Sequence, residues 1–394
     1  MKLAHTKDCT GCFACIDSCK QGALYKNIDQ YGYVEVKINA VKCIECGLCT
    51  KNCPILNKKY SKDKIISKKA EAYAAWNTNL TQRNQSASGG AFSAIASIFL
   101  DEGAIVYGAM IDGFDIKHIR IEDKIDLPLI LGTKYQHSDM TGIYNQIQKD
   151  LKNGKIVLFS GMSCQVAGVL SFIRDDYKKN LYTIDTICSG ISTQLPIMHI
   201  KECGKYKGIK CFRDKSNGWR SKGFKYSLKI EQNDGSIKDF GVNNIVLDTF
   251  STRLLKRSSC LNCHFNGLTR NSDCTIGDYW GDNDFKSEHN NGLSAIIVHN
   301  NRIMRFIGDS SLEMAPTEIG KIRKNNPYIT WSNQTPLRYM WSRKKALKAL
   351  KNKDYETAEK QFSLWNHNGL ILRLYLKLHK GYETIIEYFE KRKN

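Results

Sequence analysis

Two cysteine runs within the first 57 residues restrict this chain more than any other feature. The first is Cys9-x-x-Cys12-x-x-Cys15-x-x-x-Cys19. The second is Cys43-x-x-Cys46-x-x-Cys49-x-x-x-Cys53, followed by Pro54. Three thiolates two residues apart can wrap three corners of a cubane, which turns the fourth cysteine towards a second cluster. Pairing across the repeat then assigns Cys9, Cys12, Cys15 and Cys53 to one 4Fe-4S cluster. Cys43, Cys46, Cys49 and Cys19 go to the other. Zinc prefers isolated Cys-x-x-Cys pairs or knuckles, so two four-cysteine runs of this spacing speak for iron and sulfide. Gly11 and Gly47 suit the tight chain path around the sulfides. The first run departs from the pattern because Lys20, not proline, follows Cys19; this weakens a turn and leaves ligation intact. Cubanes move single electrons, so such a module is a wire.

The whole chain of 394 residues has 15 cysteines. The N-terminus lacks the apolar segment of a secretory signal. Cysteines in a reducing compartment more often bind metal or do chemistry than pair as disulfides, and a cytoplasmic location is expected. No apolar run is long enough to cross a bilayer. With 42% apolar and 25% charged residues the composition is globular.

The formal charge of +20 is uneven. Residues 58–70 hold six Lys against one Asp and read as a linker. Residues 320–394 carry a net +11, from 17 Lys/Arg against 6 Asp/Glu. Basic surfaces attract nucleic acid, anionic lipid or acidic proteins, with a plain solvated face as the alternative. No nucleic-acid motif is present, and nucleic acid is not expected as a partner.

Residues 71 to about 300 alternate β-type and helix-type runs, which indicates α/β structure. Ala104–Ala109, Lys155–Phe159 and Leu181–Ile187 read as strands. Ala91–Leu100 reads as a helix ending at Gly103. Residues 223–246 read as antiparallel strands turning at Gly235. After Pro336, the residues Trp341, Leu347, Leu350, Ala358 and Phe362 recur at helical spacing. The expected fold is an α+β ferredoxin-like module over 1–57, an α/β domain with a mixed sheet over 71–320, and a basic helical tail over 321–394.

Six short stretches stand in order along the chain: SASGGAF from Ser86, TKYQHS from Thr133, GMSCQVAG from Gly161, DTICSG from Asp185, CLNC from Cys260 and DCTIGDYWG from Asp273. Small residues at Ser86–Gly90 before a helix expose backbone N–H groups that favour an anion; a plain helix cap would look the same. Cys164 and Cys188 each follow a strand, at the carboxyl end where open α/β sheets place ligands. Together these stretches resemble the beta-subunit family of coenzyme F420 hydrogenases and dehydrogenases. That family includes enzymes that reduce deazaflavin, bacteriochlorophyll-type pigments or other acceptors.

The resemblance implies an FAD- and 4Fe-4S-dependent oxidoreductase of unknown substrate. It places FAD near Ser86, Ser88, Gly89, Gly90, Lys134 and Ser138. Asp278 reads as structural. Cys164, Cys188, Cys260 and Cys263 remain at matching motif positions, enough for a third 4Fe-4S cluster; buried free cysteine is the alternative at Cys164 and Cys188. Cys274 reads as core and as the substitute ligand, and Cys203 and Cys211 as structural. Met162-Ser163 stands where relatives more often have Thr-Pro, and Ser189 where many have His, which leaves the acceptor open. Expected partners are a redox protein such as a ferredoxin or reductase subunit, and a small molecule. The two other readings are a non-catalytic electron-transfer subunit and an accessory protein of surface polysaccharide biosynthesis.

Overall fold

The computed structural model describes residues 3–60, 70–213, 215, 218–219, 227–241, 244–268, 270–280, 285–326, 329 and 337–364. Most of the expected linker, the start of the expected strand run at 223, and the tail beyond 364 lie outside the described residues.

The N-terminal module is built on its two cysteine runs. Each run leads into a single helical turn, Ala14–Asp17 and Leu48–Lys51. Between them lies a hairpin of β1 (Leu24–Ile28) and β2 (Val34–Ile38), paired from Leu24↔Ile38 to Ile28↔Val34.

The remaining strands are β3 (Glu71–Asn77), β4 (Ile105–Asp112), β5 (Asp115–Ile121), β6 (Ser138–Asp139), β7 (Val157–Met162), β8 (Leu181–Thr186), β9 (Tyr206–Cys211), β10 (Lys229–Gln232), β11 (Ile237–Asp239), β12 (Cys274–Asp278), β13 (Ser294–Val298) and β14 (Leu312–Thr317). Nine of them form one mixed sheet in the order β14-β3-β13-β12-β8-β7-β4-β5-β6. Its centre, β12-β8-β7-β4, is parallel, and antiparallel strands continue it on both sides. The central strands are covered on both faces, which is why Val157-Leu158-Phe159 is an unbroken apolar run. Val106, Leu158 and Ile184 pack under the helix Ala91–Asp101. Tyr107, Val157, Phe159 and Leu181 face the opposite layer, with the helices Ile143–Lys152 and Ser163–Phe172. Cys274 is fully buried in the first of these layers. Cys203 is exposed, with its Sγ donating to the Ile200 carbonyl at 2.9 Å.

A second, three-stranded antiparallel sheet is ordered β11-β10-β9. Its hairpin turns at Gly235, with φ +86°. The expected strand stops short, because residues 245–251 are a helix capped by the Asn244 side chain on the Leu247 N–H. Near the C-terminus the helices Leu337–Lys351 and Tyr355–Ser363 bury Leu347, Leu350, Ala358 and Phe362 against Leu254 and Leu255. Trp341 does not share that stripe and is 63% exposed.

The iron–sulfur-type module is fastened to the sheet by side chains of both parts. Phe13 and Ala14 join the apolar layer around Val157 and Phe159. The Tyr144 hydroxyl donates to the Cys12 carbonyl at 2.5 Å, and Arg257 Nε donates to the Cys9 carbonyl at 2.8 Å. Asp17 caps a helix of the other part. Its carboxylate accepts from the N–H groups of Gly142 (2.7 Å) and Tyr144 (3.0 Å), at the start of Ile143–Lys152. These donors have no partner inside the helix. Asp17→Ala is expected to cost about 1–2 kcal/mol of unfolding free energy, and Asp17→Asn clearly less, because the amide oxygen still accepts. Chemical denaturation of the three proteins checks this; equal midpoints would refute the capping role.

Candidate redox site

The two N-terminal runs interleave as their spacing requires. Cys9, Cys12, Cys15 and Cys53 line one space of about 310 Å³. Cys19, Cys43, Cys46 and Cys49 line another of about 180 Å³, with Cys49 on the wall of both. Left-handed backbone produces this arrangement. The third residue of each run, Gly11 or Glu45, and the fifth, Phe13 or Gly47, all have φ between 54° and 75°. Each pair therefore contains one glycine and one residue for which this conformation costs about 1–2 kcal/mol. The sequence pointed only to the glycines. Gly11 is also fixed by space, since a Cβ there would lie 2.9 Å from His137 Nε2.

Burial above all, then the neighbouring Cys53 and Cys9, pushes the Cys12 thiol up to about 12. Cys15 is raised for the same reasons. A bound cation inverts this preference and takes up the thiolates. Among the described residues, no three His, Cys, Asp or Glu side chains close in tightly enough for a single metal ion. A cubane presents four separate iron corners and takes a wider ring of sulfurs.

Cys164, Cys188, Cys260 and Cys263 form a third group. Cys164 lies in the first turn of Ser163–Phe172, directly after β7, and Cys188 lies just beyond β8. Burial first, then Cys263, Cys188, Cys260 and Cys12, raises the Cys164 thiol. Burial, then Cys260, pushes Cys188 to about 12. Backbone N–H groups point at three of the sulfurs: Gly190 to Cys188 at 3.3 Å, Phe265 to Cys263 at 3.4 Å, and Ile191 to Cys260 at 3.5 Å. Such bonds favour the thiolate and tune a cluster's potential. Gly168 lets the first and third groups approach, because a Cβ there would stand 3.3 Å from Cys12 Sγ.

Arg270, which no motif singled out, ties the two strand ends together. Its Nη1 donates to Ser163 Oγ at 2.7 Å, the Thr186 carbonyl at 3.0 Å and Asp185 Oδ2 at 3.2 Å. Both residues of this ion pair are buried. Lys256, also unforeseen, is buried beside the same cysteines. Burial first, then Arg253, lowers it to about 7 against the opposing pull of Cys260, Cys188 and Cys263.

A cavity of about 580 Å³ opens where the parallel strands β7, β8 and β12 end, the usual ligand position in open α/β sheets. Ser86, Ser88, Gly90, Lys134 and Ser138 line it, and so does Cys188. Gly89 lies behind that wall. A Cβ at Gly89 would stand 2.5 Å from both the Ala75 carbonyl and the Ser294 amide nitrogen, so it serves close packing of the loop. Gly90, with φ +83°, starts the helix Ala91–Asp101, whose N-terminus faces the cavity. Asp278 is held by Arg213 through bonds of 3.0 and 3.2 Å, which supports a structural role.

His118 also lines the cavity and escaped the sequence reading, because it sits alone within β5. Its Nε2 donates to the Ser160 carbonyl at 3.0 Å, so Nδ1 accepts from Ser138 Oγ at 2.7 Å. Burial holds the ring neutral, with its value lowered to about 4. The Nε2 groups of Gln136 and Gln165, both on the wall, are buried donors without a partner among the described residues. The cavity's size is that of small-molecule sites. A helix N-terminus, Lys134 and Arg213 suit an anionic dinucleotide. Phe92, Phe250 and Trp280 supply aromatic wall. These residues fit FAD.

Lys134 Nζ donates to the Leu131 carbonyl at 2.6 Å, and burial lowers it to about 7. Below that value the fold holds a costly buried charge. Between there and the ordinary 10.5 the folded chain has lost a proton that the unfolded chain keeps, so its stability rises with pH. Lys134→Met is expected to stabilise the protein more at pH 6 than at pH 9. The difference should be about 1–2 kcal/mol, allowing for partial exposure. Denaturant titration at both pH values checks it, and a gap that widens with pH would refute it.

Residues 154–319 match the family model for the C terminus of the coenzyme F420 hydrogenase/dehydrogenase beta subunit. Residues 8–56 match a 4Fe-4S dicluster domain. No curated protein matches. Among solved structures, a chain from work on the F420-reducing NiFe hydrogenase complex of Methanosarcina barkeri is 16% identical, with 74% of this chain and 91% of that chain covered and a TM-score of 0.43. No helix among the described residues is long and apolar enough to cross a membrane. The chain thus joins a 4Fe-4S dicluster domain at residues 8–56 to a region, residues 154–319, that matches the C-terminal family of the coenzyme F420 hydrogenase/dehydrogenase beta subunit.

Proposed function

We propose that this chain is an iron–sulfur flavoprotein oxidoreductase that exchanges single electrons with a protein partner and two electrons with a small molecule. One observation carries the reading: Cys188 belongs to the third cysteine group and is also a wall of the cavity. The same group reaches Cys12 of the first. A continuous series of cysteine groups therefore runs from the module to the cavity.

Cys9, Cys12, Cys15 and Cys53 would hold one cubane, and Cys19, Cys43, Cys46 and Cys49 a second. Cys164, Cys188, Cys260 and Cys263 would hold a third. The cavity would take FAD, with Ser86, Ser88, Gly90, Lys134 and Ser138 around it and Gly89 shaping the loop behind. When bound, FAD supplies the exchange of a hydride for two single electrons. The chain's own groups do the rest. Lys134 offers a cation or, above about pH 7, a neutral amine to the cavity. Neutral His118 orients the Ser138 hydroxyl. Arg270 holds the loops of Cys164 and Cys188 in one place. The matched family's description names a beta subunit, which favours work with partner proteins, and fifteen cysteines favour a reducing compartment such as the cytoplasm.

Anaerobic preparation tests the reading. Three cubanes give about twelve iron atoms per chain, and the Cys260→Ser/Cys263→Ser variant is expected to retain about eight. Cofactor extraction should release FAD. Unchanged iron in the variant removes the third cluster, and colourless wild-type protein removes the whole reading. Turnover of a small-molecule acceptor by the isolated chain separates an enzyme from an electron-transfer subunit.

A further inference from the structure

The three cysteine groups differ in access to solvent. In the first, Cys12 is 8% exposed while Cys9, Cys15 and Cys53 are partly exposed, and the four cysteines of the third are partly exposed too, with Cys188 on the cavity wall. In the second group Cys46 is exposed and Cys43 is partly so. The surface around them is unusual in two ways. Val41 is 96% exposed and Ile44 65%, and Ile38 stands beside them at 37%. These three large apolar side chains flank and interrupt the Cys43–Cys46 loop. Lys20, Lys42 and Lys51 are exposed around the same loop, and none has an ion pair among the described residues. Glu45 is the acidic side chain there.

An apolar centre with a charged rim is the composition of a short-lived protein interface. The uncompensated lysines set the sign of the complementary partner. The described C-terminal helices do not cover this loop; they pack at Tyr31 and Tyr33, near the turn of the β1–β2 hairpin.

We propose that Ile38, Val41 and Ile44, rimmed by Lys20, Lys42 and Lys51, dock an acidic one-electron carrier protein over the Cys43–Cys46 loop. This rests on the reading of Cys19, Cys43, Cys46 and Cys49 as cluster ligands. One electron crosses per encounter: the carrier's centre loses what the cluster gains, or the reverse. No bond is made and no proton moves. The apolar centre brings the two centres close, and the lysines raise the encounter rate.

Stopped-flow reduction of the anaerobically prepared full chain tests the proposal. Reduced plant-type ferredoxin serves as the acidic carrier and reduced methyl viologen as a small reagent that needs no docking. Lys42→Glu/Lys51→Glu is expected to lower the ferredoxin rate constant about tenfold and to flatten its fall with salt. Val41→Ser/Ile44→Ser should lower the same constant with the salt dependence kept. Viologen rates and iron content should match wild type in both. Unchanged ferredoxin rates overturn the proposal. So does an equal loss with viologen, which means damage to the cluster. Wild-type dimers abolished by Val41→Ser/Ile44→Ser would overturn it in favour of a second copy. An iron-free wild-type chain would instead refute the cluster reading beneath it.

Discussion

Bringing twelve sulfurs into three close groups is the demand around which the rest of this structure is arranged. Buried thiols resist ionisation, and adjacent thiolates repel, so Cys12, Cys164 and Cys188 are poor acids by themselves. Their proximity becomes favourable with a multivalent cation at the centre, and binding then releases protons and supports folding. The chain meets part of the requirement with covalent geometry. Left-handed backbone recurs at the third and fifth positions of both runs, and costs free energy locally at Phe13 and Glu45, where the equivalent position of the other run is glycine. Backbone N–H groups aimed at Cys188, Cys260 and Cys263 add fixed partial positive charge where the sulfurs lie.

Approach between groups depends on small residues and on buried arginine. Gly168 allows the helix after β7 to rest against Cys12, and Gly190 does the same for Cys260. Arg257 and Tyr144 bind backbone carbonyls of the first cysteine run, so the module's loops are held by the α/β part as well as by their own turns. Asp17 works in the opposite sense, with a module side chain completing a helix of the sheet's covering layer. The module and the sheet are therefore interdependent, and a module fixed in this way presents one constant face to the third cysteine group and another to solvent.

The cavity follows from topology. Parallel strands end together at Met162, Thr186 and Asp278, and their connections must turn away, which leaves a crevice. Short motifs supply its walls, and charged pairs such as Arg213–Asp278 keep those walls in place.

Much was legible in the residues alone. The two cysteine runs declared their partners because a covalent spacing of two residues matches a cluster's corners, whatever the rest of the chain does. The strands at Val157–Met162 and Leu181–Thr186 were legible because burial on both faces demands continuous apolar runs. Local order misled at two places: Trp341 fits a helical stripe yet faces solvent, and residues 245 and 246, at the end of the strand pattern, open a capped helix. His118, Lys256 and Arg270 carry no motif, since each acts on partners at least 20 residues away, or in Lys256's case through a burial that only folding creates. The sequence by itself determined which sulfurs could share a cluster, because chain spacing sets ligand reach. Tertiary structure alone decided that Cys12 faces Cys164, that Cys188 borders the cavity and that Cys46 meets water, because proximity and burial are properties of the packed chain.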